Sequence, residues 1–302
     1  TADFTGIIWE GQCQNQEFSV AGTVVTFAGS TASTTTYKHL TAAPGASFRN
    51  HADVLTNALR YDATKGASLN NTASSGLTVS ISEANVRISN LQITESNVFG
   101  RALVASAGTT SVFVDNCILE GRSISTASNV GTIVIGSNNT FRNCVIIQRG
   151  SGADHIIATQ TNSPFFYNCT IVAPIDLGAA PTSIFTSGAS GTVTAQNCAL
   201  FAGDSSKAIK AGSATFNFTT CVSDIAGTSG VTEVSFDSEY YNAGNTTTDL
   251  RLSMMSAQID AGTTDATNAA TDIKGTARPA EAAYDIGCWE SAFNVASKLS
   301  NP

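Results

Sequence analysis

Residues 114–119 read Val-Asp-Asn-Cys-Ile-Leu, and residues 141–146 read Phe-Arg-Asn-Cys-Val-Ile. The same frame returns as Tyr167-Asn168-Cys169, Gln196-Asn197-Cys198 and Thr219-Thr220-Cys221, while an earlier copy, Ser89-Asn90-Leu91, puts Leu in the Cys slot. From Leu91 to Cys221 the slots lie 26, 27, 25, 29 and 23 residues apart. A period of that length marks stacked units, each burying its apolar face only against its neighbours.

The flanks say what kind of unit this is. Three positions before the slot stand Ile88, Val114, Phe141, Phe166, Ala195 and Phe218; two positions after it stand Ile93, Leu119, Ile146, Ile171, Leu200 and Ser223. Alternation on both sides is the period-two signal of two short strands. The phase shifts between them, so a corner absorbs one extra residue. Asn116, Asn143, Asn168 and Asn197 suit that corner, because Asn tolerates left-handed backbone better than other residues with a side chain. A third apolar segment precedes each pair, as in Ile133–Ile135 and Ile156–Ala158.

Three short strands per unit, separated by Gly, Ser, Thr and Asn, predict an all-β chain folded as a single-stranded right-handed parallel β-helix with capping segments at both ends. Like side chains then stack on like at ~4.8 Å per rung. Cys117, Cys144, Cys169, Cys198 and Cys221 become an interior ladder of small apolar groups. Val24–Phe27 and Tyr37–Leu40 read as earlier strands. The expected division is an N-terminal arm at 1–23 and a solenoid at 24–235, followed by a closing segment and tail at 236–302. Within the solenoid a long excursion at 44–71 carries a helical turn at Ala52–Leu59.

Composition narrows the partners. The net charge is −8, and no basic stripe is visible, which argues against a nucleic-acid partner. No apolar run is long enough to cross a membrane as a helix, and Thr1–Gly11 lacks the pattern of a secretory signal. Seven cysteines cannot all pair within one chain. Cys13 and Cys288 stand outside the ladder, and their pairing with each other or with a neighbouring subunit is left open. Each ladder Cys lies a whole rung from the next, so no metal site is expected, and no cofactor motif is present.

The repeat resembles the right-handed β-helix superfamily, which includes pectate lyases, polygalacturonases, phage tailspikes and non-enzymatic surface proteins. Asp249–Leu252, Ile259-Asp260-Ala-Gly262, Asp272–Gly275, Arg278 and Asp285–Gly287 with Glu290 resemble a closing segment common in bacterial β-helix proteins. The expected role is to cover the exposed end of the last coil, with Arg278 pinned to an Asp of the segment, Asp260, Asp272 or Asp285. Tyr37–Gly45 and Val86–Ile93 resemble the opening of β-helix proteins encoded by tailed phages and prophages. That resemblance implies a virion component, with a capsid decoration protein, commonly a trimer, similar in kind.

The enzymatic alternative is tested on the acids. The Asn-Thr-Asp, Asp-Asp, Gly-His-Gly and Arg-Ile-Lys motifs of polygalacturonases are absent, and the carboxylates of the coils are too scattered for a calcium cluster. A hydrolase needs two carboxylates about 5 to 9.5 Å apart. Glu95 and Glu120 lie at related offsets past the slot, and with Arg122 and Arg149 they form the best candidate patch. Asp154-His155 beside Arg149 is the second candidate, with His155 as a general base. His39 and His51 have no acidic partner in sequence. Trp9 and Trp289 could stack on sugars, but near the chain ends they fit capping or interface roles better. Asn138, Asn168 and Asn217 head glycosylation-type triplets that read as chance matches in an Asn- and Thr-rich chain.

The expectation is therefore a non-enzymatic virion structural protein on the capsid surface, a homo-oligomer bound to the major capsid protein or other virion subunits, without cofactor, nucleic acid or membrane. A carbohydrate-active tailspike or polysaccharide lyase or hydrolase, or an extracellular or cell-surface adhesin, is the alternative.

Overall fold

The two strands around each Asn corner and the apolar segment before them pair with their counterparts one period away, and this pairing generates the whole architecture. The computed structural model describes residues 8–50, 57–73, 76–96, 100–106, 108–122, 131–136, 138–151, 155–159, 163–175, 177, 179–187, 191–244 and 248–291. It is a parallel β-solenoid of about seven turns built from three sheets, all-β as the repeat predicts. The first sheet runs from Trp9–Cys13 through Lys38–Ala42, Val86–Ser89, Phe113–Asp115, Thr140–Arg142, Phe165–Tyr167 and Thr192–Gln196 to Thr215–Thr219. The second runs from Glu17–Val20 and Ser68–Asn71 to Cys221–Ser223 and Val231–Glu233, and the third from Val25–Phe27 to Ala208–Gly212.

The corner between the first and second sheets follows the sequence reading. Asn90, Asn116, Asn143, Asn168 and Asn197 all have φ between 50° and 61°, and Thr220 takes the same conformation at 52° despite its branched Cβ. Inside the corner the slot thiols stack. Cys144 donates to the Val114 carbonyl at 3.3 Å and Cys198 to that of Phe166 at 3.5 Å, so each thiol bonds to the coil before it. Beside them Phe141 stacks on Phe166 at 5.2 Å between centroids, and Phe166 packs against Phe185 at 5.4 Å. All seven cysteines are free thiols, Cys13 and Cys288 included.

The solenoid starts earlier than expected. Trp9–Cys13 pairs with Lys38–Ala42 and Glu17–Val20 with Ser68–Asn71, so most of the segment read as an arm is a coil. Glu17-Phe-Ser-Val is a strand with one partly buried apolar residue, and it lacks the Asn-Cys marker that identifies later coils. Likewise Ser68–Asn71, assigned to the excursion, is a ladder strand. Most of the helical turn expected at Ala52–Leu59 lies outside the described residues; a 3₁₀ turn occupies Phe48–Asn50.

The C-terminal segment also differs from expectation. It lies along the side of the solenoid instead of over its end. From the fourth coil onward most outward residues of the second sheet are apolar, namely Ile118, Val145, Ile147, Val172, Ala199, Phe201 and Val222, and they pack against Phe236, Tyr240, Leu250, Ile259, Ile286 and Trp289. A strand buried on both faces needs a cover, and the chain itself supplies it. The strap then runs back along the Asn corner. Asn197 exchanges hydrogen bonds with Thr263, donating to its carbonyl at 2.6 Å and accepting from its N–H at 2.9 Å. Asn168 Oδ1 accepts from Arg278 at 3.0 Å, and Asn143 donates to the Thr271 carbonyl at 2.6 Å.

Arg278 pairs with a Glu, not with an Asp. Its Nη1 lies 3.3 Å from Glu290 Oε2 and donates to the Asp285 carbonyl at 2.9 Å, and its Nη2 donates to the Gly287 carbonyl at 2.7 Å. The acids of the segment mainly accept from backbone N–H groups. Asp260 receives those of Ala282 and Ala283, Asp272 those of Lys274, Thr276 and Glu290, and Asp285 those of Asp260 and Ser291. Burial raises the Asp285 carboxyl to about 6 and that of Glu290 to about 7, against the opposing pull of Arg278.

Candidate functional site

Strand alternation separates Glu95 from the other three residues of the expected patch, Glu120, Arg122 and Arg149, which share one cleft. Glu120 is registered with Thr94, not with Glu95, so the two carboxylates point to opposite faces of the second sheet. Glu95 turns into the corner with the third sheet and lies against Gly100, where an added Cβ would sit 2.0 Å from its carboxyl carbon. Glu120 points outward and forms an ion pair with Arg149, Oε1 to Nε 2.8 Å, in which both side chains are nearly buried. The Tyr61 N–H reaches Glu120 Oε2 at 3.4 Å, and Arg149 Nη1 donates to Thr248 at 3.0 Å. This pair therefore joins the excursion, the fifth coil and the C-terminal strap. Arg122, exposed, lines a cleft of about 450 Å³ together with Arg60, Tyr61, Asp62, Glu120 and Arg149. The two carboxylates do not make the opposed pair that a glycoside hydrolase requires.

His155 lies in the third sheet, 6 % exposed, with Nδ1 2.7 Å from Ser183 Oγ. Its sequence neighbour Asp154, like His51, lies outside the described residues. Trp289 packs within the strap, with Lys274 Nζ 3.7 Å from its ring centroid. Trp9 folds over Gly11 in the first coil. Among the described residues no group of three or more His, Cys, Asp and Glu side chains converges as a metal site would.

The second sheet is thus sheathed on its outer side. The excursion covers its polar first coils: Tyr61 Oη donates to Glu17 at 2.5 Å, and Gln92 exchanges hydrogen bonds with Asp62, accepting from its N–H at 2.9 Å and donating to its carbonyl at 3.0 Å. The strap covers the apolar remainder, and the two meet where the Leu250 N–H donates to the Ala58 carbonyl at 2.9 Å.

The first sheet keeps an open outer face. Its outward residues form two columns, one with His39, Arg87, Phe113, Thr140 and Phe165, the other with Ser89, Asp115, Arg142 and Tyr167. The Arg87 guanidinium lies over the Tyr37 ring, its Cζ 3.7 Å from the centroid. Asp115 and Arg142 form a bidentate pair at 2.5 and 2.7 Å. The rings of Phe165 and Tyr167 are parallel to within 3°, their centroids 6.3 Å apart. His39, without a partner in the linear sequence, has one in space: its Nδ1 is 3.3 Å from Glu10 Oε2, one coil away.

No family model matches the chain, and no curated protein or solved structure matches it.

Proposed function

We propose that the chain is a virion structural protein whose principal role is mechanical: it binds the outer shell of a tailed-phage capsid as an oligomer, a trimer by resemblance, and reinforces it. The observation that carries this reading is the self-sheathed second sheet. Excursion and strap cover one whole side of the rod and place Glu120, Arg149 and Arg278 in internal ion pairs, an arrangement that builds stiffness and leaves one patterned face for contact. That face, with Tyr37, Arg87, Phe113, Arg142, Phe165 and Tyr167, has the aromatic and Arg content of protein interfaces. The likeness of Tyr37–Gly45 and Val86–Ile93 to phage-encoded openings points the same way.

The test is a cryo-EM reconstruction of intact particles from the source, with light scattering of the purified chain for its oligomeric state. Symmetric occupancy of the shell through the first sheet supports the reading, and Arg87→Glu combined with Phe165→Asp then abolishes binding. Presence at a tail tip only, or in no particle, overturns it. A second reading, carbohydrate engagement, is favoured by the parallel rings of Phe165 and Tyr167 on the same open face, and binding of a polysaccharide array there supports it.

A further inference from the structure

The N-terminal end of the open face carries a chain of hydrogen bonds that the packing of the coils does not require. Glu10, His39 and Ser89 belong to three successive strands of the first sheet; parallel register sets Glu10 beside His39, while Ser89, registered with Thr41, is reached diagonally by the His39 ring. His39 Nδ1 lies 3.3 Å from Glu10 Oε2, and His39 Nε2 lies 2.8 Å from Ser89 Oγ. Gln12 donates to the other Glu10 oxygen at 2.7 Å. A carboxylate on Nδ1 fixes the tautomer that leaves Nε2 as an acceptor facing the hydroxyl. The Ser89 hydroxyl has a second acceptor, Thr41 Oγ1 at 2.9 Å, and a hydroxyl hydrogen rotates freely between the two.

A donor for developing negative charge stands beside the hydroxyl. Asn90 Nδ2 is 3.3 Å from Ser89 Oγ, and Arg49 Nη1 donates to Asn90 Oδ1 at 2.7 Å, which holds the amide with its NH₂ group toward Ser89. Thr41 and Asn90 also line a cleft of about 440 Å³ whose other walls include Glu10, Gln12, Arg49 and Lys274. Arg49 Nε is buried there without a hydrogen-bond partner among the described residues. Ser89 is 8 % exposed, which favours a small acyl group over a bulky one.

We propose that Ser89, His39 and Glu10 form a nucleophile, base and carboxylate relay that hydrolyses small acyl esters, such as O-acetyl groups carried on a sugar. Ser89 Oγ attacks the ester carbonyl, its proton passes to His39 Nε2, and the tetrahedral oxyanion accepts from Asn90 Nδ2. The C–O bond to the carrier breaks, and the leaving alcohol takes the proton from His39. Water, deprotonated by the same nitrogen, then releases the acyl group as its acid and restores Ser89. Glu10 touches no reacting atom and acts as a positioning residue. Only the sugar carrier rests on the carbohydrate reading; the acyl chemistry stands apart from it.

The test uses the full chain with a fluorophosphonate probe, p-nitrophenyl acetate and acetylated xylan. The expected result is one phosphonyl adduct, mapped by peptide mass to Ser89, and acetate release from both esters. Ser89→Ala and His39→Gln lower hydrolysis by about 10²-fold or more with unchanged melting temperatures, and Glu10→Gln lowers kcat without moving KM. Asn90→Ala costs about 10²-fold. Absence of an adduct at Ser89, or equal hydrolysis by wild type and Ser89→Ala, overturns the relay. An adduct and p-nitrophenyl acetate turnover without release from the polysaccharide overturns the sugar carrier and counts against the carbohydrate reading, while shell binding is decided by the particles alone.

Discussion

Asn197 serves twice at its corner. Its backbone takes the left-handed conformation, and its amide exchanges two hydrogen bonds with Thr263 of the strap. Replacing it by Ala leaves a Cβ in a region costing ~1 kcal/mol and removes two bonds of ~1 kcal/mol each. Chemical denaturation is therefore expected to show a loss of ~3 kcal/mol for Asn197→Ala, with about 1 kcal/mol recovered in Asn197→Gly, which relieves only the backbone. A second residue-scale expectation concerns pH. Burial lifts the Glu290 and Asp285 carboxyls to about 7 and about 6, above the ordinary 4.5 and 3.8. Arg278 does not prevent this, because it divides its donors among Glu290, Asn168 and two carbonyls. The folded chain thus holds more protons than the unfolded one between about pH 4 and pH 7. The stability these groups contribute is full below that window and is lost as pH rises through about 7. Urea midpoints are expected to fall between about pH 5 and pH 8, and Glu290→Gln to flatten the slope.

The strap is an element held by an apolar stripe, and Phe201 is its anchor, stacked on Phe236 with centroids 4.5 Å apart and edge-on to Tyr240. Phe201→Ala is expected to cost about 3–5 kcal/mol and to raise hydrogen exchange across Phe236–Leu252 more than in the ladder strands, whose bonds it does not touch. The elements themselves were legible from the sequence, because the Asn-Cys frame repeats and strand periodicity is local. The position of the strap was not read, although the continuous run Val145-Ile146-Ile147 held a signal: a strand apolar on both faces announces a cover for its outer one. The expected pairing of Glu95 with Glu120 failed for a related reason. Their offsets from the slot differ by one residue, and in a strand one residue means the opposite face. The partnership of Glu10 with His39 was out of reach, since it depends on the register of a first coil that carries no marker.

At the scale of the whole molecule, the rod is stabilised by neighbour contacts along its axis and by one long-range clamp along its side. A chain ending at Ser235 would keep its coils but expose the outer stripe from Ile118 to Val222. Contiguous apolar surface of that kind promotes association. Such a truncation is expected to melt at lower temperature and to elute as oligomers or aggregates in light-scattering chromatography; a full chain that behaves no differently would count against the clamp.

The direction of the clamp also bears on how the protein is made. Coils emerge from the ribosome in stacking order and can pair as they appear, but the stripe on their flank stays bare until the final quarter of the chain has been synthesised and has travelled back along the corner to Asn143. A product of premature termination would therefore remain adhesive to chaperones and proteases even with its coils in place, and only translation carried through the strap would yield a rod that escapes triage.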